Sequence, residues 1–322
     1  MKDIFKVSLF FVFSFLFVFT VSAQTKSGVT SPVEVEFEPL SKSCVIGEPV
    51  YLQFSIRNTT SREVEVRSRM TMNGDLKIKI VMPNSLPLEY LGVFERGFPP
   101  HYVFKIPGGK TEYLTYTLLY ERESDSGLLF DKVMTARVFI SLEYMIGDER
   151  KEEKFPPFDV EVNKPADEQM KALSMLLDDE VIKQIHKQRC KPETRPLLKQ
   201  FLVKYPATPY SPPVLFALAN SYLVPDEDGS PDYETAIELF KDFIRHFPSH
   251  ILADDAVYKI GDCYDRLGEE EKARQWLVNL YNNYLESNRV NYQDELIERY
   301  IFSKDDVKIP PGFWMLFPVG RH

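Results

Sequence analysis

The sequence predicts a chain in two parts, an all-β region followed by an all-α region. Three observations carry that expectation. Apolar and acidic residues alternate in Val33, Glu34, Val35, Glu36, Phe37 and Glu38, the period of a half-buried strand. Beyond Pro165 the apolar period lengthens to that of a helix, as in Met170, Leu173, Leu176 and Leu177. Between Ser211 and Leu285 two stretches share one helical-hairpin pattern, and self-similarity on that scale decides architecture before local propensity does.

Residues 1–23 read as an export signal. Lys2 and Lys6 precede an apolar run from Val7 to Val21, and Val21-Ser22-Ala23 stands before Gln24 as a cleavage site. The alternative is an uncleaved anchor, for which the run is short. No cysteine follows the cleavage site, so a bacterial lipid anchor is not expected. The protein is therefore expected in the periplasm or outside the cell, with no membrane span after cleavage. Residues 24–31 are small and polar, the composition of a linker.

Residues 32–163 read as strands and turns. Ile46-Gly47-Glu48-Pro49 turns the chain into Val50 to Ile56, and Arg57-Asn58-Thr59-Thr60 turns it out again. Further strands are expected at Glu63–Val66, Leu76–Met82, Tyr102–Ile106, Thr111–Tyr120, Thr135–Met145 and Phe158–Val162. Seven or eight short strands between Gly, Pro and Asn turns predict an immunoglobulin-like sandwich. Gly47-Glu48-Pro49-Val50, the strand after it and Arg57-Asn58 resemble the opening of bacterial immunoglobulin-like modules, some related to proteinase inhibitors. Pro83 to Pro100 is either an irregular cross-connection over the sandwich or an exposed apolar loop for a partner. Gly147 to Lys154 reads as a solvated hairpin tip, and Asn58-Thr59-Thr60 as an ordinary turn in spite of its glycosylation pattern.

Residues 164–322 read as helices. Pro165 suits a first helical turn, and the apolar stripes of 166–177 and 181–185 are expected to dock the helices on the sandwich. Tyr258, Ile260, Gly261, Tyr264, Ala273, Leu277 and Leu280 place small residues where two helices cross, with Gly268 as the stop between them. Ala219, Tyr222, Ala236, Phe240, Phe243 and Pro248 repeat much of that pattern, with a longer link around Val224 to Asp232. Leu198, Phe201 and Pro206 look like an earlier, degenerate unit. This resembles tetratricopeptide repeats, and the joints Lys204 to Tyr210 and His246 to His250 resemble those of bacterial envelope assembly proteins. The resemblance implies an all-α solenoid with a groove lined by Phe216, Asn220 and Leu223 and by Asp255, Tyr258, Asp262 and Asp265. The last four are 3, 4 and 3 positions apart and share one helical face. Such a groove suits a basic or extended peptide; the alternative is a solvated helix face. Tyr292 to Phe302 is a candidate capping helix. The apolar tail Ile309 to Pro318 either folds back into a groove or docks another protein.

Composition narrows the function classes. A chain of 322 residues with 44% hydrophobic content supplies two cores. A formal net charge of −9 argues against nucleic acid and anionic membranes as partners. His186 and Cys190 are four apart on a predicted helix, yet nothing nearby completes a metal site, so neither metal nor cofactor is expected. Pro107-Gly108-Gly109-Lys110 lacks phosphate-loop spacing and reads as a turn. Three cysteines cannot all pair within one chain; Cys190 and Cys263 share the helical region and could bridge in an oxidising compartment, but small buried thiols are the expected reading. No catalytic constellation stands out. The expected function is a non-enzymatic scaffold for protein–protein interaction. Two alternatives stay open: a proteinase inhibitor acting through a sandwich loop, and a carbohydrate-binding module.

Overall fold

A strand whose alternate side chains are apolar has one face to hide, and β1 shows how that need is met here. The computed structural model describes residues 31–69, 74–92, 102–124, 126–225, 229–284, 287 and 294–302. Its strands are β1 (Val33–Pro39), β2 (Ser43–Val45), β3 (Val50–Asn58), β4 (Val64–Ser68), β5 (Leu76–Val81), β6 (Leu88–Tyr90), β7 (Tyr102–Ile106), β8 (Thr111–Leu118), β9 (Met134–Ile146), β10 (Glu149–Lys154) and β11 (Phe158–Asn163). β1 pairs antiparallel with β3 from Val33 opposite Asn58 to Pro39 opposite Leu52. That register leaves Glu34, Glu36 and Glu38 exposed and sets the Phe37 ring 5.0 Å from Phe54.

β1, β3 and β8 form one antiparallel sheet. The other strands form a second, mixed sheet organised by β9, the longest strand. β9 pairs with β11 along its first half and with β10 along its second. Its other edge takes β5 and then β4. β2 runs parallel to β11, with Cys44 opposite Val162. Val50, Leu52, Phe54 and Ile56 of β3 share a core with Ile78, Ile80, Val138, Leu142 and Val160 of the larger sheet.

The helices are α1 (Asp167–Leu176), α2 (Asp179–His186), α3 (Arg195–Lys204), α4 (Ser211–Ser221), α5 (Tyr233–His246), α6 (Ala253–Arg266), α7 (Glu270–Asn283) and α8 (Glu295–Ile297), which continues as a π-helical turn over Glu298–Phe302. α2 is capped by Asp178, whose carboxylate accepts from the backbone N–H groups of Glu180 and Val181. α5 is capped by Asp232 in the same way, through Thr235 N. From Pro32 onward the described residues form one compact unit.

Tyr51 of β3, with Leu119, Tyr120 and Leu128 of the connection after β8, belongs to the same apolar core as the helices. Three contacts mark the joint. Tyr210 donates its hydroxyl to the Ile46 carbonyl at 2.8 Å. The Tyr51 ring meets the His250 imidazole edge-on at 5.4 Å. Gly47, at φ +78°, lets the turn before β3 approach α1 so closely that a Cβ there would lie 2.6 Å from Leu173 Cδ1.

These observations correct the predicted fold class. An immunoglobulin-like sandwich followed by a tetratricopeptide-like solenoid does not describe the molecule. The β region holds eleven described strands instead of seven or eight, and its larger sheet is mixed through β2 and β11. The eight helices differ in length, and α4 is buried on nearly every face, whereas a hairpin lining an open groove would leave one face wet. The small-residue spacing does report a real crossing, since a Cβ on Gly261 would lie 2.8 Å from the Leu277 side chain. Any close pair of helices needs that spacing, so it does not specify a repeat family. Of the stretch Gly147 to Lys154, Glu149–Lys154 is a strand, β10, and only Gly147 and Asp148 form the hairpin turn.

Candidate functional site

The residues expected to line a groove fall in two places. Phe216 lies in the core, 1% exposed, with its ring 5.4 Å from Phe240 and 5.6 Å from Phe243. Asn220 donates its side-chain amide to the Gln188 carbonyl at 2.8 Å, and half-buried Leu223 packs against the same core. These three hold α4 against its neighbours. The four positions on α6 share a face, but their roles divide along it. Asp255 is 3% exposed; burial raises the Tyr51 hydroxyl, and the charges of Glu48 and then Asp255 add to the shift. Asp262 pairs with Arg266 one turn on, at 2.9 Å. Tyr258 and Asp265 reach the last described stretch of the chain.

That stretch is residues 294–302. Tyr258 donates its hydroxyl to Asp294 Oδ2 at 2.6 Å, while Asp294 Oδ1 caps the following turn by accepting from Leu296 N and Ile297 N. At the far end one carboxylate oxygen, Asp265 Oδ1, accepts from Tyr300 Oη at 2.6 Å and from Arg299 Nη1 at 2.9 Å. Between these polar ends Ile297 and Tyr300 are buried, at 0% and 2% exposure. Burial pushes the Tyr300 hydroxyl up, and its bond to Asp265 adds to the shift. The Arg299 guanidinium is also raised, first by its contact with Tyr300 and then by the Asp265 charge.

Magnitudes say which contacts matter here. Ordering each backbone residue costs about 1–2 kcal/mol. Each fully buried side chain contributes about 1.5–3 kcal/mol. Leu296 and Ile301 pack against the same core beside Ile297 and Tyr300, and the polar contacts with α6 add to that apolar anchoring. A hydrogen bond from a buried donor to a charged group contributes about 1.5–3 kcal/mol, while an exposed ion pair such as Arg299 with Asp265 is screened by solvent and contributes less. Tyr300 is therefore the main polar anchor at this end. The face can hold a short helical segment that offers an acidic first residue and an Arg–Tyr pair.

Sequence reasoning placed Tyr258 and Asp265 together and missed Asp294, Ile297, Arg299 and Tyr300. The legible signal was Asp294 before Glu295-Leu296-Ile297, an N-cap followed by a short apolar turn. The tail Ile309 to Pro318 and the export signal lie outside the described residues, as does 93–100 of the Pro83 to Pro100 segment. Within the described part of that segment, Leu86 is 89% exposed beside Asn84, whose φ is +58°.

The other sequence candidates have structural roles. The Asn58 amide donates to the carbonyls of Arg62 and Ile106 at 2.7 and 2.8 Å and is 0% exposed, so the glycosylation pattern is closed off in the fold. Cys44, Cys190 and Cys263 are buried and free, and burial raises the Cys44 and Cys263 thiols to about 12. Cys190 Sγ donates to the Ala217 carbonyl at 3.4 Å, and burial lowers the His186 imidazole to about 4. Among the described residues no group of three His, Cys, Asp or Glu side chains is placed to hold a metal ion. No described helix is long and apolar enough to cross a membrane. Pro107 to Lys110 is a turn closed by Lys110 N donating to the Pro107 carbonyl, with Gly109 at φ +72°.

No family model matches the chain, and no curated protein matches it. Solved structures align to part of it. A beta-glucosidase from Listeria innocua in complex with glucose aligns at 15% identity and TM-score 0.26, over 42% of this chain and 16% of that one. The structural-genomics target SoR45 aligns at 15% identity and TM-score 0.22, over 40% of this chain and 84% of its own. The alkylpurine DNA glycosylase AlkC of Pseudomonas fluorescens, bound to DNA with an abasic-site analogue, aligns at 12% identity and TM-score 0.22, over 42% of this chain and 32% of its own. The chain spans 16% of the glucosidase's length, and likenesses this low carry no argument for fold or activity.

Proposed function

We propose that this protein is an exported, non-enzymatic adaptor that holds a protein partner on the outward face of α6. The observation that supports this reading is the double acceptance at Asp265, which shows a helical segment seated there by an Arg–Tyr pair. Export is read from residues 1–23, with Lys2 and Lys6 ahead of the apolar run and Ala23 at the cleavage position. Net acidity suits a partner with a basic segment.

Crosslinking in the native envelope tests the reading. The intact chain is expected to recover a protein that is lost with Asp265→Asn and with Tyr258→Phe, both variants being checked for folding by circular dichroism. Recovery of the same set of proteins by all three forms would refute it.

A second reading rests on Leu86. Its 89% exposure at the turn between β5 and β6 is the kind of projection a proteinase inhibitor presents. Inhibition across a protease panel that disappears in Leu86→Ala would favour it, and inactivity against every protease class would remove it. A carbohydrate platform has less support, because the exposed large apolar side chains among the described residues are aliphatic apart from Phe139.

A further inference from the structure

We propose that the α6–α7 face is a receptor for a helical peptide of defined chemistry, and that residues 294–302 occupy it in the free protein as a placeholder. The partner segment carries an acidic residue at its helix start, an apolar residue three positions on, and an adjacent Arg–Tyr pair at the next turn. This proposal rests on the adaptor reading and specifies its partner.

Four observations carry it. The segment is gripped at both ends by side chains of one helix, Tyr258 on Asp294 and Asp265 on Arg299 and Tyr300. Its centre inserts Ile297 and Tyr300 completely. The charges are complementary, since Arg299 arrives at Asp265. The fourth concerns shape. The segment is a single α-turn, Glu295–Ile297, followed by a π-helical turn, Glu298–Phe302. A helix this short is not stable alone, and π geometry is rare outside single bulges at functional positions. The face therefore imposes the shape. A partner helix that is already formed presents the same groups with less to order, and so competes well with the tethered segment.

Being part of the same chain, the placeholder competes intramolecularly with any added peptide. A free peptide is thus expected to bind the unmodified chain weakly. The test uses an end-blocked, fluorescently labelled peptide of residues 294–302, titrated by anisotropy against the full chain. A second titration uses the full chain carrying Arg299→Ala and Tyr300→Phe, which loosens the placeholder and leaves α6 intact. Binding to that variant is expected to be at least tenfold tighter than to the unmodified chain. Asp265→Asn in the same background is expected to weaken it by tenfold or more. Circular dichroism confirms folding, and Arg299→Ala alone serves if the double variant unfolds.

Equal binding by the two chains, or no binding to the folded loosened chain, would overturn the proposal. If the peptide fails while envelope crosslinking still depends on Asp265, the adaptor reading stands and the partner chemistry is wrong. If crosslinking is also indifferent to Asp265, both fail.

Discussion

The Tyr300 hydroxyl lies 2.6 Å from Asp265 Oδ1, joining the last described helical turn to the C-terminal end of α6. Arg299 reaches the same oxygen at 2.9 Å, but its side chain is 56% exposed where that of Asp265 is 20% exposed. Two donors thus share one carboxylate in different surroundings, and their contributions should differ.

Tyr300→Phe is expected to cost about 1.5–3 kcal/mol, and Arg299→Ala less than Tyr300→Phe. Urea denaturation of the single variants, with a double-mutant cycle against Asp265→Asn, measures both. A larger loss from Arg299→Ala than from Tyr300→Phe would reverse the assignment of the main anchor.

Gly261→Ala is expected to destabilise the protein by about 1–3 kcal/mol, because the added Cβ would lie 2.8 Å from Leu277 Cγ and Cδ2. Leu277→Ala alone is expected to cost about 2–5 kcal/mol, since Leu277 is completely buried. The two changes together should cost less than their sum, the new methyl filling part of the space that Leu277 leaves. Strict additivity in thermal denaturation would mean that α6 and α7 do not meet there.

Glu112 stands on β8 opposite Ile56, 4% exposed, and burial raises its carboxyl to about 8. Folding therefore takes up a proton at this residue between about pH 4.5 and about pH 8. Its contribution is present at the acid end of that window and is lost as pH rises through it, by several kcal/mol. Glu112→Gln should remove this slope and stabilise the protein at pH 8.5. Equal pH profiles for the two forms, measured by chemical denaturation, would contradict the assignment.

Two histidines set the acid side. His186 lies beside Tyr120, and His250 lies between Tyr51 and Phe243, where it accepts from Leu252 N through Nδ1. Burial lowers each imidazole to about 4. Below pH 6.5 the unfolded chain binds more protons at these positions than the folded one, so stability falls as pH drops toward 4. Glu112 acts in the opposite direction over the same range, since its contribution is lost as pH rises. Replacing His250 with Phe should reduce the acid loss, as read from denaturation midpoints between pH 4 and pH 7.

The local grammar of the chain was more legible than its assembly. The alternation around Val35 marks β1 because that strand buries one face, whereas β3, central in its sheet, is buried on both faces over most of its length. β10 carries Glu149-Arg150-Lys151-Glu152-Glu153-Lys154, which is charged on both faces, so periodicity has nothing to report there. The parallel pairing of Cys44 with Val162 joins residues more than a hundred positions apart and leaves no local trace. On α6, the 3-4-3 spacing did place Tyr258 and Asp265 on one face. It could not reveal that Phe216 and Asp255 are buried, because burial depends on the strand residues packed into the same core. Nor could it reveal that Asp294 and Tyr300 meet that face, since helix-to-helix docking is decided by surfaces and not by spacing.

Native-state hydrogen exchange of residues 294–302 in the full chain tests the central claim most directly, that the α6 face holds an exchangeable segment. The account predicts that these amides open at a free energy well below global unfolding. It also predicts that Tyr300→Phe speeds their exchange about tenfold or more while α6 and α7 keep their protection. If 294–302 exchanges only with global unfolding, and Tyr300→Phe slows or speeds all helices alike, the segment is part of the permanent core and the α6 face is not a binding surface.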